Sequence, residues 1–292
     1  MAEFFLFLPQ MRLALDTLVA RGRAAEAAGF TGLALMDHLA PPLAESQPMH
    51  DAMISAAWLL AHTERLKVGH LVLCDAFRHP AVLAAQAVSL DHASRGRFEL
   101  GIGWGSVPSE FEQFGVMNSD AKGRVTRLGE TLEVLAALWT GEVVSYQGEF
   151  HHLESAQQRP TPLAPIPILI GGVGAKTLAL VAKHAQWWNC PAHRLSHFDE
   201  VREGAGKARV SVQEQITFIP SEADRDEITT TAMRRFATSS DKPVVGNASE
   251  LVEHFAARQE AGIERFYLWF TDFAKPETLA AFGSDVIEAL RD

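Results

Sequence analysis

From Phe4 to Leu290 the chain alternates short apolar runs with segments of helical period, and this alternation limits the possible folds more than any single motif. The runs are Phe4–Leu8, Leu33–Met36, Leu66–Leu73, Gly96–Gly105, Ile166–Ile170, Gln186–Cys190, Val212–Ile219 and Phe266–Phe270. Apolar residues at nearly every position, rather than every second one, mark strands covered on both faces, as in a parallel sheet. The intervening segments carry helical faces: Leu15, Leu18, Val19 and Ala25, stopped by Gly29; Met53, Ile54, Ala57, Trp58 and Ala61; and Leu83, Ala87 and Leu90, with Pro80 at the first helical position. Leu128, Leu132, Leu135 and Trp139 mark a long helix, and Leu178, Val181 and Ala182 a shorter one. Asn247 and Glu250 have capping-box spacing ahead of Leu251, Val252 and Phe255, and Leu279, Phe282, Val286 and Leu290 mark a last helix. From His193 to Arg209 the pattern is weaker.

Eight strand-then-helix units predict an α/β fold of the (β/α)₈ TIM-barrel kind, one domain over residues 1–292. Nothing marks the reversal of strand order that a doubly wound open sheet requires. The rhythm breaks once, at Gly141–Pro165, where Val143–Tyr146, Gly148 and Phe150–Leu153 read as a hairpin. Because the rhythm then resumes, this is an insertion between the fourth and fifth strands.

Composition removes several classes of function. The net charge is −10, from 36 acidic and 26 basic side chains, with no Lys/Arg run, which argues against nucleic-acid and anionic-membrane partners. Two cysteines, Cys74 and Cys190, cannot form a disulfide framework and fit a reducing cytoplasm. The N-terminal apolar run is too short for a signal peptide or a membrane span. The expected setting is soluble and cytoplasmic, with a small-molecule substrate.

In such a barrel the chemistry sits at the C-terminal ends of the strands. The second strand ends in Asp37-His38, where an acid and a histidine follow a well-defined strand, and His38 can act as general acid or base near neutral pH. Adjacent strand residues point to opposite faces, so both reach the barrel mouth only if the strand has already ended. The third strand ends in Cys74-Asp75. The fifth ends in Gly171-Gly172-Val173-Gly174, where a helix N-terminus and close backbone approach suit a phosphate; a plain tight turn is the alternative. The fourth strand places Gly101, Gly103 and Gly105 at alternate positions, which bares one face to another backbone or to a flat ligand. Trp104 and Ser106 follow it. The histidine spacings (His151-His152, His193 and His197) lack the pattern of a metal site, and none is expected.

Several segments in order resemble the bacterial luciferase-like family of flavin- and deazaflavin-dependent oxidoreductases. They are Thr63–Gly69, Phe77–Ala84, Leu90–His92, Gly96–Gly105, Leu135–Gly141, Ile166–Gly174, Ala185–Asn189 and Val245–Leu251. The resemblance implies a flavin ring at the barrel mouth, resting on a bulge in the third strand at Leu71-Val72, often with a non-proline cis peptide. It implies ring contacts from Leu71, Val72, Cys74, Gly103, Trp104, Gly105 and Ser106. The phosphate would lie at Gly171, Gly172, Val173, Gly174 and Ala175.

The members that use coenzyme F420 match best, and FMN with a partner flavin reductase, as in the monooxygenases, is the alternative; a non-catalytic flavin-binding protein is a further one. In a sugar-phosphate dehydrogenase of the F420 group an Asp-His pair matches Asp37-His38, which makes these the implied catalytic residues, His38 moving the proton and Asp37 tuning or anchoring it. That enzyme carries Glu where this chain has Ser106, which speaks against sugar-phosphate chemistry. Trp104, Phe77 and the Pro41–Met49 loop are candidates for the substrate wall. A homodimer through the helices after the second and third strands, using Met53, Ile54 and Trp58, is also implied.

Overall fold

Three aromatic-rich strands form the centre of the sheet. In the computed structural model, which describes residues 2–41, 46–116, 119–237 and 242–291, β1 (Glu3–Phe7) lies between β2 (Gly32–Leu35) and a final strand at Arg265–Phe270, parallel to both. The remaining strands are β3 (Lys67–His70), β4 (Leu73–Cys74), β5 (Leu100–Gly103), the hairpin pair β6 (Val144–Gln147) and β7 (His152–Ala156), β8 (Ile168–Gly171), β9 (Trp187–Cys190), β10 (Arg209–Phe218), β11 (Val244–Gly246) and β12 (Arg265–Phe270). The sheet runs β3-β2-β1-β12-β10-β9-β8-β5-β4, all parallel, with β11 alongside the end of β10. β3 and β4 are one barrel strand interrupted at Leu71-Val72, where the peptide is cis. A bridge between Val68 and Phe98 joins β3 to the chain entering β5 and closes the barrel. This is the expected TIM-barrel architecture.

Helices α1 (Leu15–Ala27), α2 (Ala52–His62), α3 (Pro80–Ser94), α4 (Pro108–Gln113), α5 (Ala121–Leu138), α6 (Ala175–His184), α7 (Phe198–Arg202), α8 (Arg225–Arg235), α9 (Ala248–Glu260) and α10 (Pro276–Phe282) cover the strands. Both arms of the Asn247/Glu250 capping box form at the start of α9. The hairpin β6–β7 follows α5 and is held to it by Glu130, whose carboxylate accepts the backbone N–H groups of Glu149, Phe150 and His151.

Several boundaries differ from expectation. The fourth barrel strand begins at Leu100, because Arg97–Glu99 engage β3 only through the bridge. The seventh starts three residues early, at Arg209. The last helix is α10 followed by a π-helical turn, Gly283–Ile287. α8 gave no periodic signal because it is polar almost all round and buries only Ala232 among its own residues. Met53 is a core residue, 4% exposed, and belongs to no docking face; Ile54 and Trp58 are the exposed apolar residues of α2. The expected bare glycine face of the fourth strand is filled by the protein itself. A Cβ on Gly101 would lie 1.8 Å from the carbonyl oxygen of His70, and one on Gly103 would lie 2.8 Å from Val72 Cγ2. The glycines let the interrupted third strand press into β5.

At the N-terminal end of the barrel, Arg265 is completely buried, its guanidinium 4.0 Å from the Phe5 ring centre and 3.7 Å from that of Trp187. It pairs with Glu3 and Glu99 and donates to the Tyr267 hydroxyl, while Lys67 meets Glu99 from the rim. With both carboxylates and the rings engaged, the buried cation is fully compensated.

Candidate active site

At the opposite, C-terminal end a cavity of about 300 Å³ opens between the second, third, fourth and fifth barrel strands. Asp37, His38, Leu71, Val72, Cys74, Gly103, Trp104, Gly105, Ser106, Gly171 and Gly172 line it, joined by Leu73, Val107, Glu110 and Phe111. The chain thus brings eleven of the fourteen sequence-derived positions together. Val173, Gly174 and Ala175 are outside this lining, the first two in the turn leading into α6 and Ala175 as its first residue.

β2 ends at Leu35, so Asp37 and His38 are free of strand alternation and both reach the cavity. Their partners differ. Asp37 is 5% exposed and accepts two bonds from Arg78, at 2.5 and 3.0 Å, and one from the backbone N–H of Cys74 at 2.8 Å. Arg78 also meets Asp51, the N-cap of α2. Asp37 therefore ties the loop after β2 to the end of the third barrel strand, and all its strong contacts are structural. None of these bonds is to His38, which Asp37 was expected to tune or anchor.

The partner of His38 is Glu110, on α4. Glu110 Oε2 lies 3.0 Å from His38 Nδ1, and Oε1 accepts the backbone N–H groups of Leu39 at 2.5 Å and Ala40 at 3.1 Å. Glu110 is 5% exposed, and these three contacts use three of its about four acceptor sites. Sequence reasoning missed it because α4 has only six residues and no readable period. The available signal was an acidic residue five positions beyond Gly105, in the loop that follows a strand end.

Cys74 lines the cavity as a thiol: burial, with Asp37, Asp75 and Glu110 nearby, pushes it up to about 12. It contributes shape and no thiolate chemistry. Behind it, Arg127 from α5 bonds the Asp75 carboxylate and the carbonyls of Asp75 and Arg78, fixing the turn after β4. Trp104 forms a wall, with the Arg124 guanidinium 5.1 Å from its ring centre and 5.6 Å from that of Phe111. Phe77 packs edge-on behind Phe111 and is not in the wall. The Pro41–Met49 loop lies partly outside the described residues.

On the far side, Gly172 turns the chain from β8 toward α6 with φ +115°, a conformation that favours glycine. The indole N–H of Trp188 donates to its carbonyl at 2.8 Å and fixes the turn. Trp187 and Trp188 are both core residues. The N-terminus of α6 has no side-chain cap, so its first N–H groups have no side-chain acceptor beside the glycines. Lys176 is exposed in the first turn.

Among the described residues no Lys or Arg side chain lines the cavity. Of its polar side chains Asp37 and Glu110 are engaged internally, which leaves the second nitrogen of His38, the hydroxyl of Ser106, the indole N–H of Trp104 and the Cys74 thiol to meet a ligand. No described helix is long and apolar enough to cross a membrane.

The model of a family described as luciferase-like monooxygenase matches residues 3–197. An uncharacterised protein of Mycobacterium tuberculosis is 30% identical over 207 residues, 63% of this chain and 71% of that protein. An F420-dependent glucose-6-phosphate dehydrogenase of Gordonia bronchialis is 30% identical over 196 residues, 63% of this chain and 57% of the relative. That of Tsukamurella paurometabola is 34% identical over 167 residues, 56% and 48%. The alignments thus span about half the length of these dehydrogenases. Among solved structures, an F420-dependent secondary alcohol dehydrogenase in complex with an F420-acetone adduct superposes with a TM-score of 0.84 over 100% of this chain and 99% of its own, at 19% identity. An EDTA monooxygenase from Chelativorans sp. also gives 0.84, over 99% and 93%, at 13% identity. Both likenesses are of fold.

Proposed function

Since this chain belongs to the luciferase-like monooxygenase family, we propose that it is an F420-dependent oxidoreductase that moves hydride to or from a small, uncharged alcohol or carbonyl compound. One observation carries the substrate class: the uncommitted polar groups, among them the free nitrogen of His38 and the Ser106 hydroxyl, are uncharged and lie in a cavity whose described lining holds no Lys or Arg. A sugar phosphate would need a partner for its dianion, and Ser106 offers none. The dehydrogenase relatives support the cofactor.

The site fits that cofactor in two places. The cavity floor at Leu71-Val72 and its Trp104 wall offer a flat apolar seat, and the uncapped N-terminus of α6, approached through Gly171 and Gly172, offers N–H donors to a phosphate. When bound there, the deazaflavin supplies two-electron hydride chemistry without oxygen activation. The chain's own residues supply the rest. Leu71, Val72, Trp104 and Phe111 exclude water and fix the substrate's orientation. His38 takes the hydroxyl proton during oxidation and returns it during reduction.

Titration of the purified protein with F420 and with FMN, followed by fluorescence, tests the reading. Binding of F420 and turnover of a secondary alcohol support it. Binding of FMN alone, with oxygen consumption in the presence of a flavin reductase, overturns it in favour of the monooxygenase alternative. His38→Ala is expected to lower turnover by about 10²–10⁴-fold while F420 affinity holds. The exposed Ile54 and Trp58 on α2, with Val82 on α3, also support a homodimer through these helices. Trp58→Glu is then expected to shift the sedimentation coefficient toward the monomer.

A further inference from the structure

We infer that Glu110 is the positioning residue that sets which nitrogen of His38 carries the proton; this rests on the acid–base role assigned to His38 above. Glu110 Oε1 is committed to two main-chain donors, the N–H groups of Leu39 and Ala40, and can only accept there. Oε2 faces His38 Nδ1 at 3.0 Å. An imidazole is a stronger base than a carboxylate, so the proton between Oε2 and Nδ1 belongs to the ring. The neutral ring therefore holds its hydrogen on Nδ1 and presents a lone pair at Nε2, the nitrogen that no described residue bonds. That is the form needed to receive a proton from a substrate hydroxyl.

The same contact fixes the ring's direction. Rotation of His38 away from the cavity would leave Oε2 unpaired on a side chain only 5% exposed, a cost that holds the imidazole in place. When Nε2 takes the substrate's hydroxyl proton, the cation that forms is paired with Glu110 at Nδ1. On reduction the proton returns from Nε2 to the substrate oxygen and the neutral tautomer is restored. Asp37, the neighbour in sequence, cannot take this role because its carboxylate is bound by Arg78 and the Cys74 N–H.

Glu110→Gln inverts the arrangement at nearly constant shape. The Gln carbonyl oxygen must stay on the Leu39 and Ala40 donors, so its NH₂ group faces Nδ1 and donates to it. The ring hydrogen is then forced onto Nε2, and the lone pair is lost from the cavity. The experiment is ¹⁵N NMR of the histidine rings in the full-length protein, free and with F420, with His38 assigned by its absence from His38→Asn. Wild type is expected to show hydrogen on Nδ1, and Glu110→Gln hydrogen on Nε2. Turnover should fall by on the order of 10²–10⁴-fold, as when a catalytic histidine is held in the wrong tautomer, with the dissociation constant for F420 unchanged within about twofold.

An Nε2-protonated ring in wild type overturns the inference without any variant. So does Glu110→Gln that keeps hydrogen on Nδ1, or that inverts the tautomer and turns over at the wild-type rate. If F420 fails to bind while wild type still shows the Nδ1 tautomer, the functional reading falls and the control of His38 by Glu110 stands.

Discussion

Gly101→Ala asks whether the alternating glycines of the fourth strand serve the cofactor or the barrel. The added Cβ would lie 1.8 Å from the His70 carbonyl oxygen, and real Cβ contacts do not fall below 3.0 Å. The strands must therefore part by more than 1 Å, and because the obstacle is main chain no side-chain rotamer relieves it. Parting them strains the bonds from Val68 N–H to Arg97 and from Glu99 N–H to Val68, both 3.0 Å, that close the barrel. Overpacking of this kind costs about 1–3 kcal/mol, and two weakened backbone bonds add about 1 kcal/mol each, giving about 3–5 kcal/mol. For a chain of this size that lowers the melting temperature by about 5–8 °C. Leu71 and Val72, which follow His70, should move with it, so F420 affinity should fall as well. Gly96→Ala is the control: Gly96 has φ +83° with no heavy atom within 4 Å of the added carbon, so the change costs only about 1–2 kcal/mol of left-handed backbone. Melting of Gly101→Ala within 2 °C of wild type, or equal losses for the two variants, would refute the steric argument.

Asp37→Ala leaves Arg78 without its main partner at a buried site, and unfolding in urea should show a loss of about 3–5 kcal/mol. His70 gives a pH signature. Burial holds its imidazole down to about 4, so it is neutral in the fold, whereas the unfolded chain takes up a proton below about 6.5. Its contribution to stability is complete above pH 6.5 and is lost as pH falls toward 4, in total roughly 2–4 kcal/mol. Denaturation curves across that window should be measurably flatter in pH for His70→Asn; an unchanged slope would count against a neutral buried ring.

The barrel was legible because parallel strands buried on both faces leave uninterrupted apolar runs, and because helices against them keep a 3.6-residue face. The C-terminal strand ends then pointed to Asp37, His38 and the Gly171–Gly174 turn with no side-chain geometry at all. Three things stayed hidden, each for a physical reason. Glu110 pairs with a residue 72 positions away, and nothing local announces such a contact. Asp37 reads as a site residue because it stands beside His38, although its partner Arg78 comes from another strand end and makes it a fastener. The glycine face promised an approach, but a bare strand cannot say whether ligand or backbone fills it; at Gly101 it is the His70 carbonyl.

The buried arginine at the floor of the barrel also bears on how the chain is made. Glu3 and Arg265 are 262 residues apart, so the acid emerges from the ribosome roughly 15–50 s before its base at ordinary synthesis rates. During that interval β1 has β2 on one side and nothing on the other, an open strand edge in a chain already rich in apolar runs. Until Arg265 arrives Glu99 has only Lys67 at the rim, and the part-exposed Glu3 only Lys67 and Arg209; the fully buried partner of both carboxylates comes with the last strand. A chain that stopped short of residue 265 would hold most of the candidate active site and still lack both the strand that joins β1 to β10 and the cation at its start.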